Sequence, residues 1–89
     1  MDRYEIGVRV ISVTGTCAYE HKVGDEWVIK STTPAGICIT AFGCILPSVQ
    51  TLMFGGSFPW EEDQNAAKVA CPDPNNPVVF ELRRLRKVK

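Results

Sequence analysis

One stretch of the chain, Ile37 to Phe54, sets apolar residues at helical spacing, and short β-branched runs stand on both sides of it. Cys38, Phe42, Ile45, Val49 and Leu52 follow one another at three or four residues, the repeat that lays one buried stripe along a helix. Pro47 falls in the middle of that stripe. It has no N–H to give, and its ring crowds the preceding turn, so the helix is expected to be kinked or to restart near Pro47. Gly55-Gly56 supply its stop.

The flanking runs follow the other periodicity. From Tyr4 to Thr14, Ile6, Val8, Val10, Ile11 and Val13 roughly alternate with polar residues, which is a strand pattern. Its apolar phase slips between Val10 and Ile11, where a bulge or two-sided burial is expected. Cys17 to Gly24 reads as a loop ending in Gly24-Asp25 turn chemistry. Glu26 to Ser31 follows as a second strand with Trp27 and Ile29 on one face. After the helix, Glu62 to Ala67 reads as a short helical turn and Lys68 to Cys71 as a short strand. Pro72, Pro74, Asn75, Asn76 and Pro77 form a rigid turn. Val78 to Leu85 is the last strand, with Val78, Phe80 and Leu82 on one face and Glu81 and Arg83 on the other. Strands grouped at both ends around one helix predict a single α+β domain, a small antiparallel sheet of about four strands in the order β-β-α-β-β with the kinked helix on one face.

With 89 residues there is room for one domain and a thin core. At 45% hydrophobic and 22% charged the chain is not of a disordered type. Ten basic and ten acidic residues cancel, so no broad field draws nucleic acid, and no aromatic platform with interleaved basic residues offers stacking. Arg83, Arg84, Arg86, Lys87 and Lys89 crowd the end of the chain and read as a solvated strand end. No membrane contact is expected: the start lacks the apolar core of a signal peptide, and Ile37 to Phe54 is broken by polar residues and barely matches a hydrocarbon layer of about 30 Å. A cytoplasmic, thiol-reducing location follows as the expectation.

In such a compartment four cysteines point to metal, catalysis or packing before disulfides. Cys17 and His21 share one short loop, Cys38 stands at the mouth of the helix, and Cys71 ends a strand. Thiolate and imidazole are ligands for zinc, and thiolates also hold iron–sulfur clusters. Cys17, His21, Cys38 and Cys71 therefore form a candidate Cys3His metal set, although no Cys-x-x-Cys pair marks it. Cys44, on the apolar helix, reads as a packing residue or as a substitute thiolate. Two alternatives stay open. A cysteine and His21, oriented by Asp25, would suit a thiol-dependent enzyme acting on a small molecule, in a pocket walled by Phe58 and Trp60. Equally, the cysteines would be packing in a structural oligomer. Phe58-Pro59-Trp60, large aromatics on a loop, read first as a loop folded over the helix as a satellite core, and otherwise as a pocket wall or as the contact of a homo-oligomer or protein partner, the last being the expectation for the chain.

Four segments carry a resemblance: Cys17-x-x-x-His21-Lys22-x-Gly24-Asp25, Gly36-x-Cys38, Gly56-x-Phe58-Pro59-Trp60-Glu61, and Ala70-Cys71-Pro72-Asp73-Pro74-x-Asn76-Pro77-Val78-x-Phe80-Glu81. Together they are similar to a functionally uncharacterised family of small cysteine-containing proteins of bacteria and archaea, many of them anaerobes. The resemblance places Cys17, His21, Cys38 and Cys71 on motif positions and leaves Cys44 outside them. It thereby supports the Cys3His set over an all-cysteine one, and for that donor set zinc is the expected cofactor, with an iron–sulfur cluster as the alternative. The chain departs from the pattern at Ile39, where a proline usually follows, and around Gly43-Cys44.

Overall fold

A computed structural model describes residues 3–17 and 19–88. Its elements are β1 (Arg3–Val13), β2 (Glu26–Ile29), α1 (Ile39–Met53), β3 (Ala66–Ala70) and β4 (Val78–Val88). The four strands form one sheet in the order β2-β1-β4-β3, with every neighbouring pair antiparallel. The α+β class and the β-β-α-β-β order are as the sequence pattern predicts, and β3 and β4 form a hairpin across the proline turn between them.

The two long strands, β1 and β4, pair at the centre of the sheet, from Arg3 opposite Val88 to Val13 opposite Val78. The slip in apolar phase has a physical counterpart: the β1–β4 register shifts between Val10 and Ser12, so Ile11 is the extra residue of a bulge. A second shift lies between Tyr4 and Ile6. Ile6, Val8 and Val10 meet Val78, Phe80 and Leu82 on one face, and α1 covers them with Ala41, Ile45, Val49, Leu52 and Met53. Full burial of each large aliphatic or aromatic side chain contributes about 1.5–3 kcal/mol, so this single interface dominates the stability.

Three boundaries differ from expectation. The helix starts at Ile39 and runs through Pro47 without a break in its assignment. Pro47 is exposed on the helix; it removes one N–H from the ladder, and its ring crowds the backbone carbonyl of Gly43, four residues earlier. The turn expected over 62–67 is not helical. Ala66 and Ala67 instead join β3, because β4 offers them the partners Arg83 and Leu82. An isolated helical turn closes too few hydrogen bonds to compete with that ladder. Finally, β4 continues to Val88 because β1 reaches down to Arg3 to pair with it.

The basic end of the chain is structural over much of its length. Arg83 pairs with Asp63 at 2.7 Å, and Arg86 lies 3.4 Å from Glu5. The Arg83 hydrogen bond, and next the Asn65 N–H, hold the Asp63 carboxyl below the ordinary aspartate range. Among the described residues, no helix is long and apolar enough to cross a membrane.

Candidate functional site

Antiparallel pairing brings four element ends together. The C-terminal ends of β1 and β3 and the N-terminal ends of β2 and β4 lie at one end of the sheet, as the pairs Arg9–Glu26, Val13–Val78 and Ala70–Val79 require. The N-terminus of α1 arrives at the same place. Cys17 follows β1, His21 precedes β2, Cys38 is the N-cap of α1, and Cys71 follows β3.

Local chemistry fixes each segment. Asp73 accepts the N–H groups of Asn75 and Asn76 through one carboxylate oxygen, which folds the proline-rich turn upon itself. The Asn76 amide oxygen then accepts the Thr16 N–H at 2.9 Å, and the Pro77 carbonyl accepts the Thr14 N–H at 3.0 Å. These two bonds hold the loop after β1 beside the turn before β4, and so set Cys17 near Cys71. Gly15 permits the approach: its φ is +75°, and a side chain there would collide with the Asn76 amide. On the other side, Lys22 to Asp25 form a turn in which the Asp25 N–H donates to the Lys22 carbonyl and the Lys22 N–H to the Asp25 carboxylate. That turn is pinned to β1 by two backbone bonds with Val10.

The result is a cavity of about 220 Å³ lined by Cys17, His21, Cys38 and Cys71, with Tyr19, Thr40, Ala41, Pro72, Asp73, Asn76, Val78 and Phe80 completing the wall. The structure thus brings all four expected residues to one cavity. The three cysteines are partly buried and free of disulfides. As their side chains are oriented, no three His, Cys, Asp or Glu groups among the described residues stand close enough to hold an ion. Cys44 is not on this wall; its thiol donates to the Ala70 carbonyl at 3.1 Å. Phe58 and Trp60 are not on it either. Their rings lie against each other, tilted, with centroids 5.0 Å apart; Phe58 is packed against the core and Trp60 is exposed.

His21 differs from a free ligand. It is only 6% exposed, edge-on to Trp27 and Phe80 and tilted against Tyr19. Its Nε2 accepts the backbone N–H of Cys38 at 3.2 Å, so Nε2 carries a lone pair there and no proton. Its Nδ1 faces the Asp25 carboxylate at 3.8 Å. Neither ring nitrogen hydrogen-bonds a thiol. The imidazole braces the turn into α1 and, with it, Cys38.

Two features suit negative charge on sulfur. Cys71 Sγ accepts the Val78 N–H at 3.2 Å. The first turn of α1 contains no acidic residue, and no side chain caps it, so the positive end of its dipole meets the cavity wall at Cys38, Thr40 and Ala41.

No family model, curated protein or solved structure matches the chain.

Sequence reasoning missed the parts played by five residues. Asn76 read only as a turn former, yet its amide docks the turn against the Cys17 loop, and Asp73, given no role, folds that turn. Tyr19 and Phe80 wall the cavity, and only Phe80 has a local signal, its place on the buried face of β4. Arg84 read as part of a solvated tail. In fact its guanidinium donates to the carbonyls of Leu52, Gly56 and Gln64 and to the Asn65 side chain.

Proposed function

We propose that the chain is a small metal-binding protein whose ion sits among the thiolates of Cys17, Cys38 and Cys71, with zinc as the preferred metal. The carrying observation is that three cysteines from three separate segments line one open cavity. Cysteines kept only for packing have no reason to converge on a solvent-accessible wall. All three stand at one end of the sheet, and holding an ion would require their thiols to turn from the orientations described, in which no three donor groups stand close enough. The Val78 N–H aimed at Cys71 is the kind of outer-shell donor that tunes a metal-bound thiolate. An iron–sulfur cluster is the weaker choice, because Cys44, the remaining thiol, is turned to the Ala70 carbonyl. Thiol-dependent catalysis is less well supported, since both imidazole nitrogens are turned to other groups. The proposed setting is an accessory role in a reducing cytoplasm. Self-association through Trp60, 73% exposed, is proposed with it.

Purification without air, followed by elemental analysis, tests the reading. Stoichiometric zinc is expected, lost in Cys17→Ser, Cys38→Ser and Cys71→Ser and retained in Cys44→Ser. A reduced chain that takes up no zinc, or equal loss in Cys44→Ser, overturns it. Light scattering on the same sample reports self-association, and a monomer ends that part.

A further inference from the structure

We infer that two copies of the chain join edge to edge through β2, in an antiparallel pair centred on Val28, so that two four-stranded sheets become one with both helices on the same face. The inference comes from the contrast between the two edges of the sheet. β3 is closed along its outer side. Its Ala66 N–H donates to the Asp63 carbonyl and its Lys68 N–H to the Glu61 carboxylate, while the Ala70 carbonyl accepts the Cys44 thiol. Edges occupied in this way do not pair with another chain. β2 is different. Val10 exchanges backbone bonds with Gly24 and Asp25, so alternation along β1 turns Val8 and Ile6 toward β2 as well. Trp27 and Ile29 therefore make the ladder bonds, and Glu26 and Val28 present their N–H and carbonyl groups outward. Among the described residues, no hydrogen bond from elsewhere in the chain meets those groups. The segment after β2 stays on the helix side of the sheet. Ser31, Thr32 and Thr33 line a groove with Phe42 and Leu46 of α1, and Gly36 approaches the Trp27 indole.

Charge and register select a second copy as the occupant. A two-fold at Val28 sets Val28 against itself and Glu26 against the partner's Lys30, so both acids meet bases. Centring the pair on Trp27 or on Ile29 instead opposes Glu26 or Lys30 to Val28 and matches no charge. Glu26, Val28 and Lys30 are all exposed. Glu26 has an ion partner of its own in Arg9, but at 3.9 Å and with both side chains more than half exposed, which leaves the carboxylate able to face a second cation. The open face of the sheet adds apolar contact. Val28, 48% exposed, pairs in register with Gly7, and the Leu85 side chain, on a residue 49% exposed, lies over Gly7. Across the two-fold these two apolar strips join at Val28.

Sedimentation equilibrium of the reduced chain at low salt, from micromolar to millimolar concentration, tests the pairing. The wild type is expected to show a monomer–dimer equilibrium. Glu26→Lys and Lys30→Glu each set like charges together at both ends of the pair, and each is expected to raise the dissociation constant about tenfold. An equimolar mixture of the two variants is expected to recover wild-type association, because the charges of one then match those of the other. Trp60→Ser is expected to keep the dimer, since Trp60 lines a groove beside β3 at the opposite edge. Association that is lost in Trp60→Ser and unchanged in the charge variants overturns the inference and leaves the Trp60 contact. Charge variants that lose association and do not recover it when mixed overturn it too. A wild type that stays monomeric throughout overturns both contacts, and the metal reading stands apart from all of these results.

Discussion

The residue that does most outside the core is Arg84. Its guanidinium reaches the last turn of α1 at Leu52, the following glycine turn at Gly56, and the loop before β3 at Gln64 and Asn65, and it lies 5.2 Å from the Tyr4 ring centre. One planar fork therefore ties the helix end to the strand pair beneath it. Hydrogen bonds to a charged donor contribute about 1.5–3 kcal/mol each when buried, and less here because the group is partly exposed. Arg84→Ala is expected to cost about 2–3 kcal/mol in total. For a domain of this size that lowers the melting temperature by on the order of 10 °C. Arg84→Lys should recover only part of the loss, since an ammonium cannot reproduce the fork. Thermal unfolding followed by circular dichroism measures both, and an Arg84→Ala transition at the wild-type temperature would show that the contacts are incidental. None of this was legible in the sequence. Arg84 sits among other basic residues in a tail that looks solvated, and nothing local says that its register in β4 aims it at a helix end 32 residues away. Cys17, His21, Cys38 and Cys71 were legible as a group because their chemistry is rare in the chain. What could not be read was the division of labour, since the Nε2 bond depends on where the Cys38 amide lands.

At the scale of elements, the strands and the helix were readable from their periods, and the bulge at Ile11 from a single break in alternation. The boundaries that moved did so because tertiary pairing extends a ladder beyond its local signal, as at Ala66, Ala67 and Val88. Pro47 is the sharper case. Its position in the helix is exposed, so its ring adds little burial, while the missing N–H forfeits one helical bond. Proline in a helix interior is about 3 kcal/mol less favourable than alanine. Part of that is offset by the packing of α1 on the sheet, which holds the helix through Pro47. Pro47→Ala is accordingly expected to stabilise the fold by about 1–2 kcal/mol, read as a higher urea midpoint at unchanged slope. A lower midpoint would mean that α1 must bend at Pro47 to lay both Ala41 and Met53 on the sheet.

For the molecule as a whole, the central pairing joins the two ends of the described chain, Arg3 opposite Val88, and such contacts leave no local mark in a sequence. The hairpin of β3 and β4 could be anticipated; the placement of β1 between β2 and β4 could not. This architecture also decides what a metal, bound as proposed, would do for stability. The fully buried side chains, among them Phe80, Ile6, Ile45, Leu52 and Leu82, lie between α1 and the sheet, while Cys17, Cys38 and Cys71 only fringe that cluster at one end. The core is complete without an ion, unlike that of the smallest metal-dependent domains, where binding free energy is folding free energy. A ligand that binds only the folded chain raises its stability by RT ln(1 + [L]/Kd), about 4 kcal/mol at a thousandfold excess over Kd. Chelation of the metal-loaded protein is therefore expected to lower the melting temperature while leaving the far-ultraviolet dichroism and a single cooperative transition in place. Loss of secondary structure on chelation at room temperature would place the ion among the supports of the fold, and would require the end of the sheet that carries the three thiols to be unstable on its own.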